Sequence, residues 1–242
     1  MVLPQAMDAG QIINELGGHF SYIPTECPYG LGHTAVYRQA FLPGLSPRLL
    51  ERFLAAGFRR NGNTIYSMHC MGCAACVPIR LETESFRGSR NMRRVRQRNR
   101  DLEISVGPLS VSREKLDLCD RFLQERYPER GSTAADYYSG FFMNALQVSV
   151  EISFRLSGRL AGVSVVDLAE ESLSAVYFYF DPDLGGRSLG TFNVLCLADL
   201  AARHKLKYVY LGYWIKEVAA MAYKSRFRPH FLLEQGEWRR VE

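Results

Sequence analysis

No run in the 242 residues approaches the roughly 18 consecutive apolar positions that a membrane-spanning helix needs. The N-terminal stretch MVLPQAMDAGQIINELGG lacks a basic start and a continuous apolar core, which argues against a secretory signal. No internal repeat and no low-complexity tract is found, so a solenoid or a disordered tail is not expected. With neither export nor membrane signals, the expectation is a soluble cytoplasmic protein with no membrane partner. Its six cysteines then sit in a reducing compartment, where a disulfide set is not expected.

What is present is enough for a proper core: 47% of the residues are apolar and 12% aromatic. The length suits one large domain or two modest ones, and two are expected, divided at residue 85: 1–85 and 86–242. The net charge of +5 is modest, but its placement is not. Arg87, Arg90, Arg93, Arg94, Arg96, Arg98 and Arg100 follow one another with no acid between them. Seven unbalanced guanidiniums in so short a stretch favour contact with phosphates over a merely solvated face.

Local patterns place the elements. Thr34 to Phe41 reads as a strand, and Ser46 as the cap of a helix with Pro47 at its first position and Gly57 as its stop. Asn61-Gly62 reads as a hairpin turn. Ser89 caps a helix through the arginines, a strand from 101 to 106 follows, and REKLDLCDRFLQERY carries a helical apolar face. From residue 141, LQVSVEISF, GRLAGVSVVDLAE and SLSAVYFYFDP read as an antiparallel meander. A Gly-rich turn, a long helix, the buried strand KYVYLGYWI and the helix EVAAMAYKSRF complete the chain. That order is similar to an acyltransferase fold of the GNAT type, so the expected class is α+β: a GNAT-like domain preceded by a small cysteine-bearing N-terminal domain.

Cys70-x-x-Cys73-x-x-Cys76 presents three soft sulfur ligands from one tight loop, a spacing suited to zinc or an iron–sulfur cluster. Cys27 is the first candidate for the fourth ligand and His69 the alternative. Cys119 and Cys196 each lie alone on an apolar helical face and are expected in the core.

Together, CPYG, GFRRNGNTIY, HCMGCAACVPIRL and FRGSRNMRRVRQRNRDL resemble the N-terminal half of bacterial aspartate/glutamate leucyltransferases. VYFYFDPDLGGRSLGTFNVL, YVYLGYWI and MAYKSRFRPHFLLEQGEW resemble a region these share with eukaryotic arginyltransferases. The resemblance spans about residues 20 to 240. It implies an aminoacyl-tRNA-protein transferase that takes an amino acid from charged tRNA as co-substrate and forms a peptide bond on the N-terminal Asp or Glu of proteins, marking them for degradation. Bacterial resemblance favours leucine as the donated residue, with arginine the alternative. The eukaryotic relatives carry Cys-x-x-Cys where this chain has Cys27 followed by Gly30, so Cys70 would replace the missing ligand.

Aminolysis of an ester already activated needs positioning more than a dedicated nucleophile. Tyr177 and Tyr179, alternating with Phe178 and Phe180, either line the cleft or pack in the core; Asp181 is either a turn residue or an amine-binding group. Arg187 and Gly190, in a Gly-rich turn at a helix start, suit the phosphates of the tRNA end, as Arg93, Arg94 and Arg96 suit those farther along. Phe192 stands where coenzyme A users have a small residue, which weighs against acetyl-CoA. Tyr213 and Trp214 either stack on the terminal adenine or pack inside. Lys224 and Arg228, ahead of Arg187, are the candidate cations for the acceptor's carboxylate, with the surroundings of Tyr29 and Arg38 as the fallback. The rival readings are a metal-bearing acetyltransferase using acetyl-CoA and a noncatalytic nucleic-acid-binding module.

Overall fold

The computed structural model describes residues 16–242; most of the stretch weighed as a secretory signal lies outside the described residues. Two sheets organise the chain. The smaller has the order β1-β2-β4-β3, built from Ser21–Glu26, Thr34–Phe41, Thr64–Met68 and Arg59–Asn61. The larger runs β12-β11-β5-β10-β9-β8-β7-β6. Its strands are Val77–Glu82 (β5), Leu102–Pro108 (β6), Ser149–Leu156 (β7), Arg159–Leu168 (β8), Ser172–Phe180 (β9), Tyr208–Trp214 (β10), His230–Glu234 (β11) and Glu237–Val241 (β12). Helices and strands mix along the chain, as the expected α+β class requires.

The helices form where capping chemistry and apolar spacing coincide. Helix α1 (Pro47–Ala55) is capped by Ser46, whose Oγ accepts from the Leu49 N–H, and it buries Leu50, Phe53 and Leu54. Ser89 caps α2 (Arg90–Arg98) in the same way, leaving only Met92 and Val95 on its buried face. Helix α3 (Arg113–Arg126) starts at Ser112, and α4 (Leu189–Arg203) follows the Gly-rich turn. Helices α2 and α4 pack on one face of the large sheet, against Ile152, Phe154, Leu173 and Val209. On the other face α3 lies over Val163, Val165 and Tyr179. The small sheet and α1 enclose a separate apolar cluster, to which β10 lends Tyr210.

Some details depart from the sequence reading. The hairpin turn is Gly62-Asn63, one residue later than expected, because Asn61 still pairs with Thr64 and Gly62 takes the positive φ at the first central position. EVAAMAYKSRF makes only a one-turn helix, Ala219–Ala222, followed by a 3-10 turn. Strand β5 lies before the expected division at residue 85, yet it pairs with β10 and β11 in the large sheet. Its central Ile79 and Leu81 have no exposed surface and belong to the core on the face of the large sheet.

All neighbouring pairs of the large sheet are antiparallel except β9 and β10, which are parallel. These two pair only from Ser172–Ser174 to Tyr208–Tyr210 and then part. On the other edge of β10, the register against β5 shifts between Tyr210 and Tyr213 around Gly212 at φ +86°. No helix among the described residues is long and apolar enough to cross a membrane.

Candidate functional site

The split between β9 and β10 frees backbone groups that a continuous ladder would have consumed. Arg59, the first residue of β3, fills the gap: its Nη1 donates to Ser174 Oγ at 3.0 Å and its Nη2 to the Ala175 carbonyl at 2.5 Å. Lys224 arrives from the C-terminal segment and donates to the Tyr213 carbonyl at 2.7 Å. Burial, and then the charge of Arg59, lower the Lys224 ammonium to about 7. Tyr29, Tyr66 and Tyr213 lie within the electrostatic reach of Arg59. Burial pushes all three phenols up, Tyr66 to about 12, so they remain hydrogen-bond donors at neutral pH.

The cysteines adjoin this region. The Cys76 thiol is pushed up to about 12, first by burial and then by the nearness of Cys70, Cys73 and Cys27. Cys70 Sγ accepts the Val36 N–H at 3.4 Å. His69, the alternative ligand, packs its exposed ring edge-on against Tyr22, 5.3 Å between centroids. Among the described residues, no group of three or more His, Cys, Asp or Glu side chains is arranged as a finished metal site. The soft, all-sulfur donor set fits zinc or an iron–sulfur cluster by type. Cys119 and Cys196 are buried in the core, as expected.

The remaining candidates are distributed elsewhere. Tyr179 is fully buried and shares a 2.5 Å hydrogen bond with Tyr138, inside an aromatic cluster that also holds Tyr177 and Phe142. The opposite pair, Phe178 and Phe180, stacks 5.4 Å apart, so both faces of β9 are packed and the core alternative describes this strand. Asp181 caps the turn Pro182–Arg187, accepting from the Asp183 N–H, and is paired with Arg121 at 2.6 Å. Tyr213 turns its hydroxyl to the Gly57 carbonyl at 3.4 Å; Trp214 is half-buried and its indole N–H has no partner among the described residues.

Of the arginines, Arg93 and Arg94 are exposed, while Arg96 is held by both oxygens of Asp199. Arg187 binds both oxygens of Asp101 at 2.7 and 2.9 Å and the Arg98 carbonyl, tying the Gly-rich turn to the end of α2. Arg98 returns the contact to the Gly186 carbonyl. Gly190 is the second residue of α4, beside that turn. Phe192 does not crowd the helix start: it points into the core, 6.0 Å from the Phe154 ring, on the apolar face of α4 that begins with Leu189. Arg228 is exposed, next to the buried His230 segment. Arg59 was absent from the sequence candidates; the one signal for it is a pair of arginines, Arg59-Arg60, directly before a hairpin in a strand with no acid of its own.

Comparison with known proteins assigns the two halves of the chain. The family described as arginine-tRNA-protein transferase, N terminus, matches residues 25–94, and its C-terminal counterpart matches residues 114–234. The aspartate/glutamate leucyltransferase of Marinobacter nauticus is 38% identical over 81% of this chain and 84% of its own length. That of Aeromonas salmonicida is 40% identical over 79% of this chain and 81% of its own. Among solved structures, L-PGS from Bacillus licheniformis matches 89% of this chain and 74% of its own at 12% identity, with a TM-score of 0.47. On these matches the chain belongs to the aspartate/glutamate leucyltransferase family, built from the N- and C-terminal portions of the arginine-tRNA-protein transferases.

Proposed function

We propose that this protein transfers an amino acid, leucine in preference to arginine, from charged tRNA to the N-terminal Asp or Glu of cytoplasmic proteins, creating a degradation signal. The observation that carries the reading is the place where β9 and β10 part, with Arg59 bonded to the freed edge of β9 and Lys224 to the end of β10, in a chain of this family. In the reaction the neutral α-amine of the acceptor attacks the carbonyl carbon of the aminoacyl ester. The bond to the ribose oxygen breaks, and that oxygen takes up the proton the amine gives away. The ester is already labile, so holding the two partners in register supplies much of the acceleration.

The donor's phosphates meet the exposed arginines of α2, chiefly Arg93 and Arg94, with Arg187 and Gly190 at the adjoining turn. The acceptor's carboxylate is met from the C-terminal segment bearing Lys224 and Arg228, with the strand carrying Tyr177 and Tyr179, and Asp181 just past its end, beside the place where β9 and β10 part. Cys27, Cys70, Cys73 and Cys76 would hold a zinc ion or an iron–sulfur cluster, which would brace the small sheet. The domain division then follows the two family portions, with β5 as the strand shared between them.

The test is a transfer assay with leucyl- and arginyl-tRNA against peptides headed by Asp, Glu or Ala. Leucine transfer to Asp and Glu peptides alone is expected; acetyl transfer from acetyl-CoA, or tRNA binding without product, would return the assignment to one of its rivals.

A further inference from the structure

Among the described residues, the deeply buried cations other than Arg59 and Lys224 have a carboxylate or aromatic rings against them. Arg60 is paired with Asp167, Lys115 with Glu151, and Arg80 is sandwiched between the rings of Tyr208 and Trp238 at 3.7 and 4.1 Å. Among the described residues, Arg59 and Lys224 have neither a carboxylate nor an aromatic face against them. Each keeps only 9% of its surface exposed. Their polar contacts are the neutral Ser174 hydroxyl, the Ala175 and Tyr213 carbonyls and the Met221 sulfur. Among the described residues neither has a carboxylate within salt-bridge distance.

Two like charges held close together out of water are unfavourable unless an anion joins them. The fold nevertheless prepares the place. Gly212, at φ +86°, lies against the guanidinium: a Cβ there would meet Arg59 Nη2 at 3.4 Å, ordinary contact. Tyr66 and Tyr213 set their rings 6.3 Å apart at the same spot, and Tyr29 closes in from the Cys27–Gly30 loop.

We infer that Arg59 and Lys224 together receive the side-chain carboxylate of the acceptor's first residue, with Arg59 as the specificity-determining residue. This rests on the acceptor proposed above and deepens it. A carboxylate at a chain end suits the place better than a phosphodiester, because a phosphodiester continues in both directions and needs a groove. The cations suited to a groove-bound strand are the exposed ones of α2. An uncharged Asn or Gln in the same position would leave both cations uncompensated, which is how a buried polar site rejects a near-isostere.

The experiment compares Asp- and Asn-headed peptides in the wild type, Arg59→Lys, Arg59→Met and Lys224→Met, reading kcat/KM for peptide, KM for charged tRNA, and peptide binding without tRNA by tryptophan fluorescence. In Arg59→Met and Lys224→Met the kcat/KM ratio of Asp over Asn is expected to fall by on the order of 100-fold or more. Arg59→Lys should recover part of it, and KM for charged tRNA should hold. Arg59 also bridges Ser174 and Ala175; should Arg59→Met not fold by near-UV circular dichroism, Lys224→Met and Arg59→Lys decide. An unchanged Asp-to-Asn ratio in those folded variants overturns the inference. So does a rise in KM for charged tRNA with the ratio intact, since the pair would then hold a donor phosphate. A wild type that binds the Asp peptide and not the Asn peptide, but transfers nothing, would keep the receptor and remove the transferase reading. Equal binding of both peptides would remove the receptor.

Discussion

Lys224 and Tyr213 are joined across the end of β10, side-chain ammonium to main-chain carbonyl, at 2.7 Å. The contact places a cation where its charge is penalised, and its proton is held only to about pH 7. An unfolded lysine keeps its proton to roughly pH 10.4. Between those values the unfolded chain binds more protons than the folded one, so this group makes stability rise with pH across the window.

Replacing Lys224 with Met removes that penalty. At about pH 6 to 7 the variant is expected to unfold at higher urea than the wild type, and the two midpoints should converge toward about pH 10. Urea titrations at three pH values check it; a pH-independent difference would mean that packing, and not charge, separates the two proteins.

The same titration should be felt by the acceptor. A bound carboxylate favours charged Lys224, so affinity for an acidic peptide is expected to decline as pH climbs above about 7, where the empty site loses its proton. An Asn-headed peptide should show no such decline. Fluorescence titrations across that range measure both.

Arg60 and Asp167 form a bidentate pair with side chains 1% and 2% exposed, and Arg60 also donates to the Phe141 carbonyl at 2.7 Å. Arg60→Ala is expected to cost about 3–5 kcal/mol, because it leaves the Asp167 carboxylate buried with only Ser149 as a side-chain partner among the described residues. Arg60→Ala with Asp167→Ala should cost less than the sum of the single changes. Additive losses would mean the two side chains act independently.

Arg93→Glu with Arg94→Glu is expected to weaken charged tRNA binding and flatten the salt dependence of log K by about 1.4 to 1.8, two phosphate contacts at ~0.7–0.9 each. Both side chains are exposed and free of ion pairs among the described residues, so thermal stability should hold. Arg96→Glu should behave differently, losing stability as well, since it breaks the contact with Asp199 that ties α2 to α4.

Single Cys→Ser changes at Cys27, Cys70, Cys73 and Cys76 are each expected to lower the zinc or iron content of protein purified without oxygen, measured by elemental analysis. Cys119→Ser and Cys196→Ser serve as controls and should leave it alone, because both lie in the core away from the cluster. Metal content indifferent to all four would remove the cysteines from the ligand set.

Where local chemistry decides, the sequence was a good guide. Ser46 and Ser89 announce helix starts that the structure has, and the alternation in β7, β8 and β9 announces the meander. What it could not show is how a side chain is used once distant elements meet. Tyr179 and Arg187 looked available, but Tyr138 and Asp101 engage them from 41 and 86 residues away. Arg59 failed to stand out for the opposite reason: its importance comes from partners it lacks. Strands β1, β11 and β12 were not anticipated, the last two because their pattern is short and their register is set by β5, from far upstream.

That upstream strand has a consequence for the order in which the molecule can be made. Residues 77–82 leave the ribosome early, but their partners on both edges, residues 208–214 and 231–232, are among the last to be synthesised. Until then a segment with two fully buried side chains has neither neighbour, and its apolar face stays open to wrong pairing. Nascent chains stalled before residue 208 should therefore bind chaperones through this segment, and release should follow the arrival of the C-terminal strands.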